Sequence, residues 1–233
     1  MASKKAPELA NRDIRQRDLV PPDRLARCHA VVIGVGSIGR QVALQLAATG
    51  VPVLTLLDPD TVAVENLATQ GFSPNDVNSF KVDAVGNACH EQCPMLELHA
   101  RHERFRKSVV RTWSKSQEHC VFVCVDAIES RRLIWEAVRG AASVFIDGRM
   151  TAEVVRVLAS DCPAIDAVYP ATLFGAAEAF AGACTAKSTI YTANIAAGLM
   201  VGQFARWLRR QRVTPDQTLN LLAAELTVAD PTS

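Results

Sequence analysis

The chain has 233 residues, 49% of them hydrophobic, which is enough for one sizeable core and at most two domains. Its 25 basic and 24 acidic residues leave a formal net charge of +1, so no broad charge argues for a nucleic acid or a membrane as partner. The first 22 residues are charged and lack the apolar stretch of a signal peptide, which makes the cytoplasm the expected compartment.

The predicted elements alternate between strands and helices along the chain. An arm over residues 1–27 precedes a β-branched strand at 29–34, a helix at 37–49 and a second strand at 53–57. A polar stretch then runs to residue 79. After it the pattern predicts, in order, a helix at 80–93, strands at 96–100 and 121–125, a helix at 130–139, strands at 144–146 and 154–159, and a long helix at 189–212.

This alternation predicts an α/β fold, a Rossmann-like open, mostly parallel sheet with helices on both faces. We expect residues 28–233 to form a single domain behind the arm of residues 1–27. The apolar region at 190–208 is interrupted by polar side chains, which favours a buried core helix over a membrane span. Because open parallel sheets bind ligands beyond the carboxyl ends of their strands, the informative residues should follow strands.

The first strand runs into a glycine-rich turn. Gly34, Gly36 and Gly39 form a GxGxxG motif between a strand and a helix, the context that a nucleotide-binding turn requires. Glycines let the backbone approach a phosphate, and the helix N-terminus supplies free N–H groups. Asp58, at the end of the second strand, can accept hydrogen bonds from ribose hydroxyls. The motif alone fits NAD, FAD or ATP, so an NAD-dependent oxidoreductase stays open at this point.

Three charged residues favour a triphosphate over a nicotinamide cofactor. Asp60 follows the second strand, Lys81 begins a helix, and Asp126 follows the fourth strand. Lysine neutralises phosphate charge as a compact cation, and Mg²⁺ takes one or two carboxylates together with phosphates. A dehydrogenase has no general need for these groups, and nothing in the sequence resembles its catalytic His or Tyr-Lys arrangement in a clear context.

Four sequence blocks carry a resemblance to the family of ThiF, MoeB and the ubiquitin-activating enzymes. LLDPDTVAVENLATQ at residues 56–70 resembles the family's LLDxDxVxxxNLxRQ. Lys81 in NSFKV matches the lysine of its GxxK without the glycine, and CVDA at 124–127 resembles CxDN. RDIRQ at 12–16 resembles the N-terminal RYxRQ. The blocks stand in the family's order over roughly residues 12 to 130.

The resemblance implies one ATP-binding adenylation domain that activates the C-terminal carboxylate of a ubiquitin-like or sulfur-carrier protein ending in glycine. It implies a homodimer, in which Arg15 reaches the ATP of the other subunit. It places Gly34, Gly36, Gly39, Asn66 and Lys81 at the phosphates of ATP, Asp58 at the ribose and Asp126 on Mg²⁺. Asp60 and Gln70 would also line the nucleotide site.

The chain departs from the family pattern at Thr69, where the family has an arginine that helps neutralise the triphosphate. A substitute cation is one explanation, and Arg149 follows a predicted strand where it could serve. The other explanation is a non-catalytic pseudoenzyme subunit that scaffolds its partner.

Seven scattered cysteines without CxxC spacing predict free thiols and argue against a structural zinc site. The resemblance implies a thioester-forming cysteine before the last long helix, and Cys184 fits it best, with Lys187 and a helix N-terminus nearby to lower its pKa. Cys162 is the nearest rival. An unreactive cysteine at 184 remains equally open.

Overall fold

A computed structural model of the chain describes residues 11–166, 168–173 and 188–229. The strands in these ranges are β1 (Cys28–Ile33), β2 (Val53–Leu57), β3 (Glu97–Arg101), β4 (Glu118–Val123), β5 (Val144–Thr151), β6 (Val154–Ser160), β7 (Asp216–Asn220) and β8 (Glu225–Ala229). The α-helices are α1 (Pro22–Leu25), α2 (Ser37–Thr49), α3 (Asn66–Gln70), α4 (Lys81–Gln92), α5 (Ile128–Val138), α6 (Pro163–Asp166) and α7 (Ile190–Leu208). Short 3₁₀ helices lie at Pro74–Asp76, Lys107–Thr112 and Tyr169–Thr172.

The strands form one sheet in the order β3-β2-β1-β4-β5-β6-β7-β8. The first five strands pair in parallel, and β6, β7 and β8 extend the sheet by antiparallel pairing. The strand order reverses between β1 and β4, where Ile33 pairs with Val123. A crevice for a ligand opens beyond the carboxyl ends of strands at such a reversal, so the segments after Ile33 and Val123 bound the expected site.

Two apolar clusters cover the two faces of the sheet. On one face α2, α4 and α7 pack, and Phe122 meets Phe204 with ring centroids 5.7 Å apart. On the other face α5 and the 3₁₀ helix at Lys107–Thr112 pack, and Trp135 lies 4.8 Å from Phe145. Successive residues of β4 alternate between the clusters because side chains of a strand point to opposite faces. The predicted α/β fold with helices on both faces is therefore confirmed.

The structure departs from the predicted elements at several points: β4 begins at Glu118 and α7 ends at Leu208, where 121 and 212 were expected. Helix α3 interrupts the polar stretch before residue 79, and strand β5 continues past residue 146 to Thr151. Strands β7 and β8 form a hairpin that the pattern did not predict, because their sequences DQTLN and ELTVA lack a buried apolar run. No helix among the residues described is long and apolar enough to cross a membrane.

Candidate nucleotide site

The glycine turn is held tightly at two of its three glycines. Gly34 has a φ of +84°, and a Cβ there would lie 2.8 Å from the carbonyl oxygen of Cys124. A Cβ on Gly39 would lie 1.8 Å from the carbonyl oxygen of Gly34. Gly36 differs, because a Cβ there would meet nothing closer than Gln70 Oε1 at 3.8 Å. Gly34 and Gly39 are thus required by backbone packing, whereas Gly36 leaves an open face at the N-terminus of α2 where an anion can approach.

Asp58 braces this turn from the end of β2. Its side chain is buried, with 7% exposure; Oδ2 accepts a hydrogen bond from the Val35 N–H at 2.8 Å and Oδ1 one from the Asp60 N–H at 2.9 Å. Burial raises the pKa of Asp58, while these backbone hydrogen bonds and the charge of Lys81 act in the opposite direction. Each carboxylate oxygen keeps a further lone pair, so a ribose contact remains compatible with this structural role.

Lys81 and Asp60 form an ion pair at the edge of the crevice. Lys81 is 8% exposed at the first position of α4, and its Nζ lies 3.1 Å from Oδ2 of the exposed Asp60. The Lys81 N–H also donates to the Asp60 carbonyl oxygen at 2.9 Å, so main chain and side chain fix the same pair. The Lys81 ammonium is buried and pairs with one solvent-facing carboxylate. It is therefore suited to bind a phosphate, which is a stronger hydrogen-bond acceptor than that carboxylate.

Asn66 and Gln70 come from α3, the short helix after β2. Asn66 Oδ1 accepts a hydrogen bond from the Ala63 N–H at 3.0 Å, which fixes the turn that begins the helix. Gln70 Oε1 is buried beside Gly36 without a hydrogen-bond partner among the described residues. Since buried polar atoms are nearly always satisfied, this amide oxygen is available to accept a hydrogen bond from a ligand or a water.

Asp126 lies across the crevice, three residues beyond the end of β4. Its side chain is exposed and accepts no hydrogen bond within the described ranges. Those ranges also contain no group of three or more His, Cys, Asp or Glu side chains that could hold a metal ion. A single carboxylate fits Mg²⁺ only if phosphate oxygens and water complete its coordination, and that is how Mg²⁺ is commonly bound beside nucleotides.

Arg15 lies far from the glycine turn of its own chain. Nη2 of Arg12 donates to the carbonyl oxygens of Ala47 and Ala48 at 3.1 and 2.9 Å, and Gln16 Nε2 donates to Thr49 at 2.9 Å. The described part of the arm thus caps the last turn of α2, whose 13 residues span about 20 Å. Arg15 is exposed at that end, opposite to the turn at Gly34–Gly39.

The contacts of Arg149 argue against it as the substitute for the arginine that Thr69 replaces. Its Nε donates to Asp147 Oδ2 at 2.8 Å, and Nη1 and Nη2 donate to the Thr172 carbonyl and hydroxyl oxygens at 2.8 and 3.0 Å. Each guanidinium nitrogen therefore already donates one hydrogen bond within the protein, which argues against that hypothesis. Neither Arg131 nor Asp147, which lie next to Arg149, was singled out from the sequence. The only sequence signal for them was the carboxylate of Asp147 inside the apolar run VFID.

Among the thiols, Cys184 and its neighbour Lys187 lie outside the described residues. Cys162 is exposed, and the other described cysteines are buried or half-buried and free. Burial raises the pKa of Cys89 and of Cys124 to about 12, so neither is a nucleophile near neutral pH. The expected free thiols are thus found among these residues.

Comparison with known sequences gives one family match and several partial relatives. The ThiF family model matches residues 10–229. The Sulfur carrier protein ThiS adenylyltransferase of Escherichia coli K12 is 28% identical over 48% of this chain and 44% of its own length. The tRNA threonylcarbamoyladenosine dehydratase of Haemophilus influenzae is 44% identical over 30% of this chain and 31% of its own. The chain spans less than half the length of the curated relatives it matches.

Solved structures share the fold at low sequence identity. PaaA superposes with a TM-score of 0.76 and 18% identity, over 99% of this chain and 76% of that one. Escherichia coli MccB, solved with ATP, superposes with a TM-score of 0.68 and 16% identity, over 91% of this chain and 66% of that one. At these identities the likeness concerns the path of the main chain.

Proposed function

This chain belongs to the ThiF family, and from that premise we propose that it binds ATP with Mg²⁺ and adenylates the C-terminal carboxylate of a ubiquitin-like or sulfur-carrier protein. The observation that carries the proposal is the open face at Gly36, where the buried Gln70 Oε1 lacks a partner. Relatives named as adenylyltransferases support the reaction, and one of them is named for the sulfur carrier ThiS.

The reaction joins two anions at one phosphorus atom. A carboxylate oxygen of the partner attacks the α-phosphorus of ATP, and the bond from that phosphorus to the bridging oxygen of the β-phosphate breaks. The products are an acyl adenylate and pyrophosphate. Lys81 and Asn66 would contact the phosphates, and Asp58 would hold the ribose. Asp60 would give up its ion pair with Lys81 and lie beside the phosphates. The protein's contribution is positioning and stabilisation of charge, as in other phosphoryl and nucleotidyl transfers.

Mg²⁺ would be held by Asp126 together with phosphate oxygens, and it would neutralise charge that develops on the leaving pyrophosphate. The lone exposed carboxylate at the end of β4 supports this assignment. Thr69 supplies no positive charge, and its hydroxyl donates to the carbonyl oxygen of Glu65 at 3.3 Å.

We propose a homodimer in which Arg15 completes the site of the other subunit. Three observations support it: Arg15 is exposed, it lies at the far end of α2 from its own glycine turn, and the apolar side chains of Ile14 and Leu19 flank it in exposed positions. Exposed apolar side chains beside a charged one are common where a second chain packs.

A second step is proposed at Cys184. Its thiolate would attack the carbonyl carbon of the acyl adenylate, a thioester would form, and AMP would leave with the electron pair of the broken acyl–oxygen bond. Cys162 is the alternative nucleophile. Without a thioester the protein would stop at the adenylate.

ATP–pyrophosphate exchange tests the proposal directly. The purified chain is mixed with candidate small proteins ending in glycine, and labelled pyrophosphate should enter ATP only with the true partner. Lys81→Ala should lower exchange by about 10²–10³-fold, since one preorganised charge contact is removed. Lys107→Ala is the matched control, because Lys107 pairs with Glu136 on the surface. Tight NAD binding without ATP binding would refute the proposal.

A second candidate function is a non-catalytic subunit that scaffolds a ubiquitin-like partner, and Thr69 is the observation that favours it. It predicts that a partner binds with the same affinity in the presence and absence of ATP, and that no exchange occurs with any partner.

A further inference from the structure

A buried cluster of charged side chains lies beside the segment that follows β4. At its centre is Asp147 of β5, which is 0% exposed. Its Oδ1 accepts a hydrogen bond from Arg131 Nη1, and its Oδ2 accepts from Arg149 Nε at 2.8 Å and from the Tyr169 hydroxyl at 3.0 Å. Two guanidinium groups thus share one buried carboxylate.

Arg131 connects this cluster to the segment that carries Asp126. Besides Asp147, its Nη2 donates to the carbonyl oxygen of Val125 and, at 3.3 Å, to that of Gly148. Val125 immediately precedes Asp126, whose own side chain has no hydrogen-bond partner in the described ranges. The backbone position of Asp126 therefore depends on the residue before it, and that residue is held by Arg131.

Charge balance gives Arg131 a second link to Asp126. The cluster holds two positive charges and one negative charge, all shielded from water. The pKa of Arg131 is lowered to about 10, mainly by burial and in addition by the repulsion of Arg149, whereas Tyr169, Cys124 and Asp126 act in the opposite direction. The Asp126 carboxylate is one of the groups that offset the positive charge of the cluster, and Asp216 acts on Arg149 in the same sense.

We propose that Arg131 is a positioning residue for Asp126: it fixes the exit of β4 through the Val125 carbonyl and so places the carboxylate for Mg²⁺. The proposal rests on the proposed function in one respect, the role of Asp126 as metal ligand. The position of Asp126 itself does not depend on that role. Residues that orient a metal ligand typically change metal affinity by about 10–100-fold when they are replaced.

Arg149 provides a matched control in the same cluster. Like Arg131, it is largely buried and bonded to Asp147. Its other hydrogen bonds go to Thr172 instead of Val125. Arg131→Lys and Arg149→Lys both keep the positive charge and both lose the planar fork of guanidinium donors. Only the first removes the hydrogen bond at the exit of β4.

The first experiment is hydrogen–deuterium exchange on the ligand-free chain. Arg131→Lys should raise the exchange rate of the amides at 125–127 at least about tenfold, as expected when a local opening becomes easier. Arg149→Lys should leave these amides at the wild-type rate. Equal rates at 125–127 in the wild type and Arg131→Lys would overturn the proposal. If Arg131→Lys does not fold, Arg131→Gln, which keeps an amide donor, is measured in its place against the same expectation.

The second experiment titrates Mg²⁺ in the ATP–pyrophosphate exchange assay at saturating ATP. Arg131→Lys should raise the Mg²⁺ concentration for half-maximal rate by about tenfold or more, and Arg149→Lys should leave it within about twofold. Equal increases in both variants would mean that general loosening of the cluster is responsible, and the specific role of Arg131 would be refuted. A wild type without exchange would refute the proposed function alone, because the amide-exchange result still decides whether Arg131 positions Asp126.

Discussion

At the residue scale, the three glycines of the turn have different reasons to be glycine. The backbone of Gly34 leaves no room for a side chain at residue 39, whereas Gly36 faces open space next to Gln70. A motif search treats the three alike. The structure separates the two positions that the fold needs from the one that it leaves open to a ligand.

Gly39→Ala should therefore destabilise the chain, and Gly36→Ala should chiefly impair activity. A Cβ at residue 39 would force backbone movement and cost roughly 3 kcal/mol, the upper end of overpacking penalties. Gly36→Ala should stay within about 1 kcal/mol of the wild type in urea unfolding, yet lose about 10²-fold in exchange rate because the reacting phosphate is displaced. Full activity in a folded Gly36→Ala variant would show that phosphate does not bind at this turn.

At the element scale, the order and type of the main elements followed from the sequence, because β-branched runs and glycine punctuation are local signals. β5 was predicted too short since Asp147, Gly148 and Arg149 resemble the end of a strand. Their polar groups are instead satisfied by α5 and by the 3₁₀ helix at Tyr169–Thr172. Such contacts join residues 16 or more apart in sequence, and no local pattern carries them.

The same distinction applies to the site. Family membership confirms the resemblance that assigned Lys81 to the phosphates and Asp126 to Mg²⁺, while the roles of both residues stay predictions. The buried environment of Lys81 and the missing partner of Gln70 Oε1 had no counterpart in the sequence. Both depend on how α3 and α4 fold back over the turn, which is a property of tertiary packing.

Three histidines of the parallel strands lie close together, and the pKa shifts of two of them predict that stability depends on pH. His29 lies 5.1 Å from His119 and 6.1 Å from His99 between ring centroids. Burial first, and then the repulsion of His119 and His99, lowers the pKa of His29 to about 4, whereas a hydrogen bond that its ring donates to Gln117 and the charge of Glu97 act in the opposite direction. Burial lowers the pKa of His119 as well.

We expect the free energy of unfolding to fall as the pH drops from about 6.5 toward 4. In that window the unfolded chain takes up protons that folded His29 excludes, so acid favours unfolding. Urea unfolding at pH 7.5, 5.5 and 4.5 measures the slope. His29→Gln should flatten it, whereas His102→Gln, at an exposed surface pair with Asp83, should not. A slope unchanged by His29→Gln would contradict the assignment.

At the scale of the whole molecule, the contacts of the N-terminal arm with α2 determine which chain's nucleotide site Arg15 can reach. The arm caps α2 of its own chain, so Arg15 acts on a second copy or not at all. In a homodimer with shared sites, Arg15→Ala and Asp126→Asn should each abolish most of the exchange activity. Each variant damages both sites of its own dimer.

Mixing the two inactive variants should restore activity. A mixed dimer has one site with an intact Asp126 and an Arg15 from the other subunit. Random subunit exchange would therefore return about a quarter of the wild-type rate. Size-exclusion chromatography with light scattering gives the oligomeric state of each mixture. A mixture of dimers without any recovered activity would show that Arg15 does not act across subunits.

The hairpin that ends the sheet has a consequence for how the purified chain behaves at high concentration. β8 pairs only with β7 in the described structure, and its outward side chains Leu226 and Val228 are 55% and 54% exposed. Its segment Glu225–Ala229 holds neither proline nor lysine, the residues that usually guard an open sheet edge against pairing with another molecule. We therefore expect β8 to promote self-association, and Val228→Lys should raise the concentration at which the protein begins to aggregate.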